Sequence, residues 1–225
     1  MQDRQHPLNE ARETELGLQA HGAEERRRRP KPGERRDQIL QALAGMLEQP
    51  CGDRITTAAL ASRLEVSEAA LYRHFASKAQ MFEGLIDFIE QSVFALINQI
   101  VGATTSDSDV EANHQTAKRI VTVVMQFAEK NPGLVRVMVG DALVFENERL
   151  QQRMNQFFDK IESTLKQCLR DDRSKFETDA PTMDAQVRAS VLAAFVSGRL
   201  QRYVRTGYRR PPTEYLDQAV RQILG

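Results

Sequence analysis

From Glu34 to the end of the chain, apolar residues recur every three or four positions, and that pattern restricts the fold to packed helices. Ile39, Leu40, Leu43, Met46 and Leu47 share one face of a first helix, ended by Pro50 and Gly52. Thr56 and Thr57 open a short second helix carrying Ala59, Leu60 and Leu64. A tight turn at Glu65 and Val66 follows, and Ser67 caps a third short helix containing Ala70, Leu71 and Phe75. Ser77 and Gln80 have capping-box spacing, so a fourth helix starts there and keeps its period to Ile100. Beyond a polar loop at 102–109, helices are predicted over about 110–130, up to about 140, 146–170, 183–206 and 213–224. Asn131-Pro132-Gly133 stops one of them, 171–181 is a charged loop, and Pro211-Pro212 separates the last two. No segment alternates as a strand does, and no internal repeat is visible, so the fold class is all-α.

Residues 1 to about 33 break the pattern. Pro7, Gly17, Gly22, Pro30, Pro32 and Gly33 punctuate a charged stretch with too little apolar surface to offset its ordering entropy, and it is expected to be disordered. Formal net charge is zero, so the chain as a whole does not announce a polyanionic partner. Locally the balance differs: Arg26 to Arg36 holds seven basic residues and one acidic residue, Glu34. Such a run is either a solvated tail or an arm that follows phosphates.

Cys51 and Cys168 are far apart and form no paired motif, as expected of reduced cytosolic thiols. No signal peptide is evident, and no stretch approaches the roughly 18 uninterrupted apolar residues of a membrane span. His6, His21, His74 and His114 are scattered. No phosphate-binding loop, nucleophile elbow or metal-ligand spacing is present, so neither enzyme activity nor a metal or cofactor is expected.

Ile55 to Phe75 (I-T-T-A-A-L-A-S-R-L-E-V-S-E-A-A-L-Y-R-H-F) has the layout of a helix-turn-helix, whose second helix enters the major groove. Ile55, Leu60, Leu64, Val66, Leu71 and Phe75 would lock its helices. Ser67, Ala69 and Ala70 then form a face small enough to approach bases closely, while Tyr72, Arg73 and His74 sit at its end.

With the F-A-S-K that follows, this stretch closely resembles the TetR-family DNA-binding domain, over roughly 35–94. The resemblance implies a three-helix helix-turn-helix head plus a C-terminal helical dimerisation body. The divisions are an arm at 1–33, a head at 34–93 with its motif at 56–75, and a body at 94–225. It implies that Thr56, Thr57, Ser67, Ala69 and Ala70 face bases or the nearest phosphates. Tyr72, His74 and Lys78 grip the backbone, and Arg35 and Arg36 belong to the basic arm. For Tyr72 the alternative is packing at the head–body junction, and for His74 a hydrogen-bonded surface position. The family often has glycine where Glu65 stands, so a positive φ there would carry strain.

The body adds its own resemblance. E-K-N-P-G-L-V-R-V-M-V-G-D-A-L-V-F-E-N-E-R-L at 129–150 and the residues on to Glu162 are similar to the SlmA family of nucleoid occlusion factors. That resemblance implies a cytoplasmic, nucleoid-associated homodimer on double-stranded DNA that, while bound, antagonises polymers of the division protein FtsZ. The FtsZ surface it implies includes Phe88, Leu96, Lys130 and Asn131. Leu96 replaces the arginine of better-known members. Phe88 could instead be a core aromatic, and Asn131 could be merely a helix stop. A ligand-responsive TetR-type repressor is the rival reading, sharing the head and differing in the body.

Small residues at 185, 189, 193, 194, 197 and 198 permit close helix approach, and the resemblance places the dimer interface on the last two helices. The arginines at 199, 202, 205, 209 and 210 read as a solvated helix end rather than a second DNA site.

Overall fold

A computed structural model describes residues 33–49, 55–103, 110–170 and 180–225, with the backbone alone at 180–182. The expected disorder before Gly33, the helix stop at Pro50 and Gly52, Cys51, most of the loop at 102–109 and all but the end of the charged loop at 171–181 lie outside those residues. The chain divides into two units, Met1–Arg35 and Arg36–Gly225. The first contributes only residues 33–35 to what is described.

Among the described residues all regular structure is helical, with no strand. The helices are α1 (Glu34–Leu47), α2 (Thr57–Arg63), α3 (Glu68–Tyr72), α4 (Lys78–Gly102), α5 (Val110–Lys130), α6 (Pro132–Met138), α7 (Glu148–Arg170), α8 (Ala180–Arg205) and α9 (Leu216–Leu224). A 3-10 turn, Asp141–Leu143, separates α6 from α7. The division expected at residues 93 and 94 falls inside α4, which runs unbroken from the helix-turn-helix into the body.

The apolar periodicity of each helix becomes its buried face. Ile39, Leu43 and Leu47 of α1 meet Leu60, Leu71 and Phe75, while α4 buries Met81, Phe82, Leu85, Ile86, Ile89, Val93 and Ile97. That burial accounts for α4, which by length and composition alone could cross a bilayer. In the body, α7 and α8 make the most extensive helix pairing, and α5 packs on both α4 and α7. Phe157 lies edge-on to Phe94 at 5.6 Å and to Phe158 at 5.2 Å, the arrangement favoured by ring quadrupoles. Cys168 is buried within this core.

Helix α5 ends at Lys130, just before Asn131-Pro132-Gly133 as expected, and Pro132 also opens α6, where its missing N–H costs nothing. Boundaries elsewhere differ from the sequence reading. Glu146 and Asn147 precede α7 instead of opening it, and the Glu146 side chain is 9% exposed and paired. The last helix begins at Leu216, after Tyr215 at φ 53°.

The small residues of α8 also split. Ala185, Ala189 and Ala193 are buried, whereas Met183, Val187, Val191, Ala194 and Gly198 are exposed.

Body and head meet at Gly133. A Cβ there would lie 2.2 Å from the Ala44 carbonyl oxygen, so only glycine lets α6 rest on α1. Nearby, the Tyr208 hydroxyl donates to the Leu47 carbonyl at 3.2 Å. Burial pushes the Tyr208 phenol up to about 12, keeping it a neutral donor.

Candidate nucleic-acid interface and partner groove

The recognition unit is built by its caps. The Thr56 hydroxyl accepts from the Ala59 amide at 3.1 Å, and the Ser67 hydroxyl from the Ala70 amide at 3.3 Å. Each cap is worth about 1 kcal/mol to its helix. A capping oxygen uses only a lone pair, so both O–H groups remain free to donate outward. Thr57 differs: its hydroxyl donates to Glu68 at 2.5 Å, tying the start of α2 to the start of α3.

The turn between them is closed by the Val66 amide bonding to the Ala61 carbonyl at 3.0 Å. Glu65 adopts φ 53°, the left-handed conformation in which glycine is at ease, so the departure noted in the sequence is a real local strain.

Ser67 and Ala69 are exposed and Ala70 half-buried, while Leu71 and Phe75 face the core. Tyr72, 45% exposed, points largely to solvent rather than being packed away, and His74 is exposed too. Helix α3 ends at Tyr72, and the turn after it carries Arg73 and His74. Arg36 braces that turn: it donates to the His74 carbonyl at 2.7 Å and lies 4.0 Å from the Phe75 ring centroid. Arg35 is half-buried.

Lys78 starts α4 immediately beyond, after Ser77, whose hydroxyl accepts from the Gln80 amide at 3.2 Å. The Gln80 side chain returns to the Ala76 amide at 2.6 Å, close to the capping box read from the sequence. The Lys78 ammonium does not extend freely; it is paired with Glu146 at 2.5 Å.

Sequence reasoning missed this pair and the ladder it begins. Arg149 of α7 pairs with Glu83 of α4, and Arg153 with Asp87 at 2.9 Å and Glu90 at 2.6 Å. Partial burial works against the Arg153 charge, but the two carboxylates outweigh it and hold its guanidinium above its ordinary pKa. A signal was present: 83, 87 and 90 repeat at helical spacing, as do 146, 149 and 153.

A separate groove of about 570 Å3 lies between α1 and α4, with Leu40, Ala44, Leu85, Phe88 and Leu134 on its walls and Asp37 and Glu48 at its margin. Phe88 is 51% exposed and so is not a core aromatic; its ring is 6.4 Å from that of Phe127. Asn131 also lines the groove, and its side-chain amide donates to the Phe127 carbonyl at 2.7 Å. Lys130 is exposed beside it. Leu96 is 39% exposed on α4 and does not line the groove.

Residues 39–85 match the family described as bacterial regulatory proteins of the tetR family, and 113–224 match the SlmA-like C-terminal domain of tetracyclin-repressor-like proteins. A nucleoid occlusion factor SlmA from Colwellia psychrerythraea is 49% identical over 185 residues, covering 82% of this chain and 90% of that relative. The chain belongs to the SlmA family.

A second SlmA, from Aliivibrio fischeri, is 49% identical over 193 residues, covering 84% of the chain and 93% of its own length. One from Marinomonas sp. is 50% identical over 184 residues, covering 82% and 90%. Among solved structures, the regulator PfmR from Thermus thermophilus matches with TM-score 0.64 at 18% identity, covering 84% of this chain and 95% of that one. The regulator FadR from Bacillus subtilis in complex with stearoyl-CoA matches with TM-score 0.62 at 12% identity, covering 84% and 97%. Both report the TetR-type fold alone. Membership in the SlmA family makes this chain a TetR-type regulator and a nucleoid occlusion factor, not an enzyme.

Proposed function

We propose that this SlmA-family protein binds chromosomal DNA as a homodimer and, while bound, captures FtsZ and antagonises its polymers over the nucleoid. The observation that carries the DNA half is the exposed face of α3: two donor hydroxyls at helix caps, small residues at 69 and 70, and aromatic and cationic groups at its end. Thr56, Ser67, Ala69 and Ala70 approach bases and the nearest phosphates, while Tyr72, His74 and Lys78 contact the backbone. Thr57 and Arg36 also brace the reader, through Glu68 and the His74 carbonyl. Arg35 and the basic run before it supply the charge that the head lacks, since 35–93 holds six basic and eight acidic residues.

The FtsZ half rests on the half-exposed Phe88 in an apolar groove beside Asn131. Lys130 borders this surface, and Leu96 extends it along α4 as an apolar contact. We keep 34–93 as the reading head and 94–225 as the partner and dimer body, with α4 shared between them.

The test is a pull-down of FtsZ by the full chain, with and without a duplex selected by the chain from a random pool, repeated with Phe88→Ala. Duplex-dependent capture, lost in the variant while DNA binding persists, is the expected result. A small effector that releases the duplex, with no FtsZ capture, would instead establish a ligand-responsive repressor.

A further inference from the structure

Lys78 occupies a position that invites contact with a phosphate. It begins α4 directly after the turn that closes the recognition unit, four residues beyond the exposed His74. Yet its ammonium is held at 2.5 Å by Glu146, and the two side chains are only 19% and 9% exposed. This is not a loose surface pair of the sort that water and salt dissolve. Glu146 is itself fixed, because its amide donates to the Leu143 carbonyl at 3.0 Å at the close of the 3-10 turn. The carboxylate therefore comes from the body, on a backbone separate from the one that carries the lysine.

We propose that Glu146 is a body-borne latch on the DNA contact of Lys78, and so a determinant of DNA affinity outside the reading head. The proposal rests on the reading of α3 and the start of α4 as a DNA interface. A phosphate oxygen and the Glu146 carboxylate compete for one ammonium. If Lys78 turns to DNA, Glu146 is left charged, nine-tenths covered and without its partner, which is costly. If Lys78 stays, its charge is already neutralised and displaces little counterion from the duplex. Either way the chain binds DNA less tightly than its lysine permits. The Phe82 ring, 5.6 Å from the ammonium, offers a second resting place that does not cancel the charge.

The experiment measures affinity of the full-length protein for its selected duplex across a salt series. Glu146→Gln keeps the shape and a hydrogen-bond acceptor but removes the charge. It should tighten binding three- to tenfold at physiological salt, and steepen the log–log salt slope by up to about 0.9, the contribution of one phosphate contact. In a Lys78→Gln background the same change should shift affinity less than twofold. Should the amide unsettle the turn, Glu146→Asp withdraws the charge by one methylene and should tighten binding by twofold or more.

Unchanged or weaker binding by folded Glu146→Gln overturns the latch, as does an equal gain without Lys78, which would show a general charge effect. Failure of the wild-type chain to bind any duplex would instead sink the DNA reading itself.

Discussion

At single positions the molecule separates residues that hold the reader together from those that read. In the proposed interface Ser67 does both: its lone pair caps α3, which leaves its O–H available as a donor to DNA. Ser67→Asp keeps the cap, since aspartate is as good an N-cap as serine, but sets a negative charge against phosphate. Folding should be unchanged by circular dichroism, while DNA affinity measured by fluorescence anisotropy falls about a hundredfold or more, the scale of a like-charge contact. Gly133 has no such freedom. Gly133→Ala drives a methyl into the Ala44 carbonyl and the Glu48 side chain, and should cost about 1–3 kcal/mol in urea unfolding, the range for overpacking against backbone. Glu65 shows what a sequence can reveal about one residue: a non-glycine at a turn that favours glycine marks the strain seen at φ 53°.

Among elements, those with a self-sufficient pattern were legible. The long apolar stripe of α4 and the cap at Ser77 identify that helix without reference to anything else. The pairing of α4 with α7 was not legible as such, because an ion pair needs two elements brought to a common register, and register comes from tertiary packing. Asn131-Pro132-Gly133 was ambiguous by chemistry, since proline both stops a helix and starts one, and only the packing of Gly133 on α1 decides. The candidate site divided likewise: Phe88 and Asn131 share a groove, while Leu96 lies outside it. The basic arm takes its expected role from its charge together with the helix-turn-helix that follows it. Removing residues 1–33 should weaken DNA binding and flatten its salt dependence, by about 0.9 in slope for each phosphate that the arm no longer neutralises. An undiminished slope would assign the arm no role on DNA.

For the whole molecule, the decisive feature is the outward face of α8. Met183, Val187 and Val191 are 67%, 53% and 46% exposed, beside Ala194 and Gly198, where a Cβ would meet nothing. In the proposed homodimer this stripe is the face that a second subunit covers. Val187→Glu should give a folded monomer by light scattering, with DNA affinity reduced because two heads no longer bind together. A dimer unaffected by that charge would put the interface elsewhere.

The unbroken course of α4 bears on how such a regulator could be re-engineered. Its first turn belongs to the reader, its middle presents Phe88, and its acidic edge is matched rung by rung to α7. The head is therefore not a detachable cassette. A chimera spliced at 93 and 94 with a foreign reader should express poorly unless the transplant also brings carboxylates at 83, 87 and 90 and a small surface opposite Gly133.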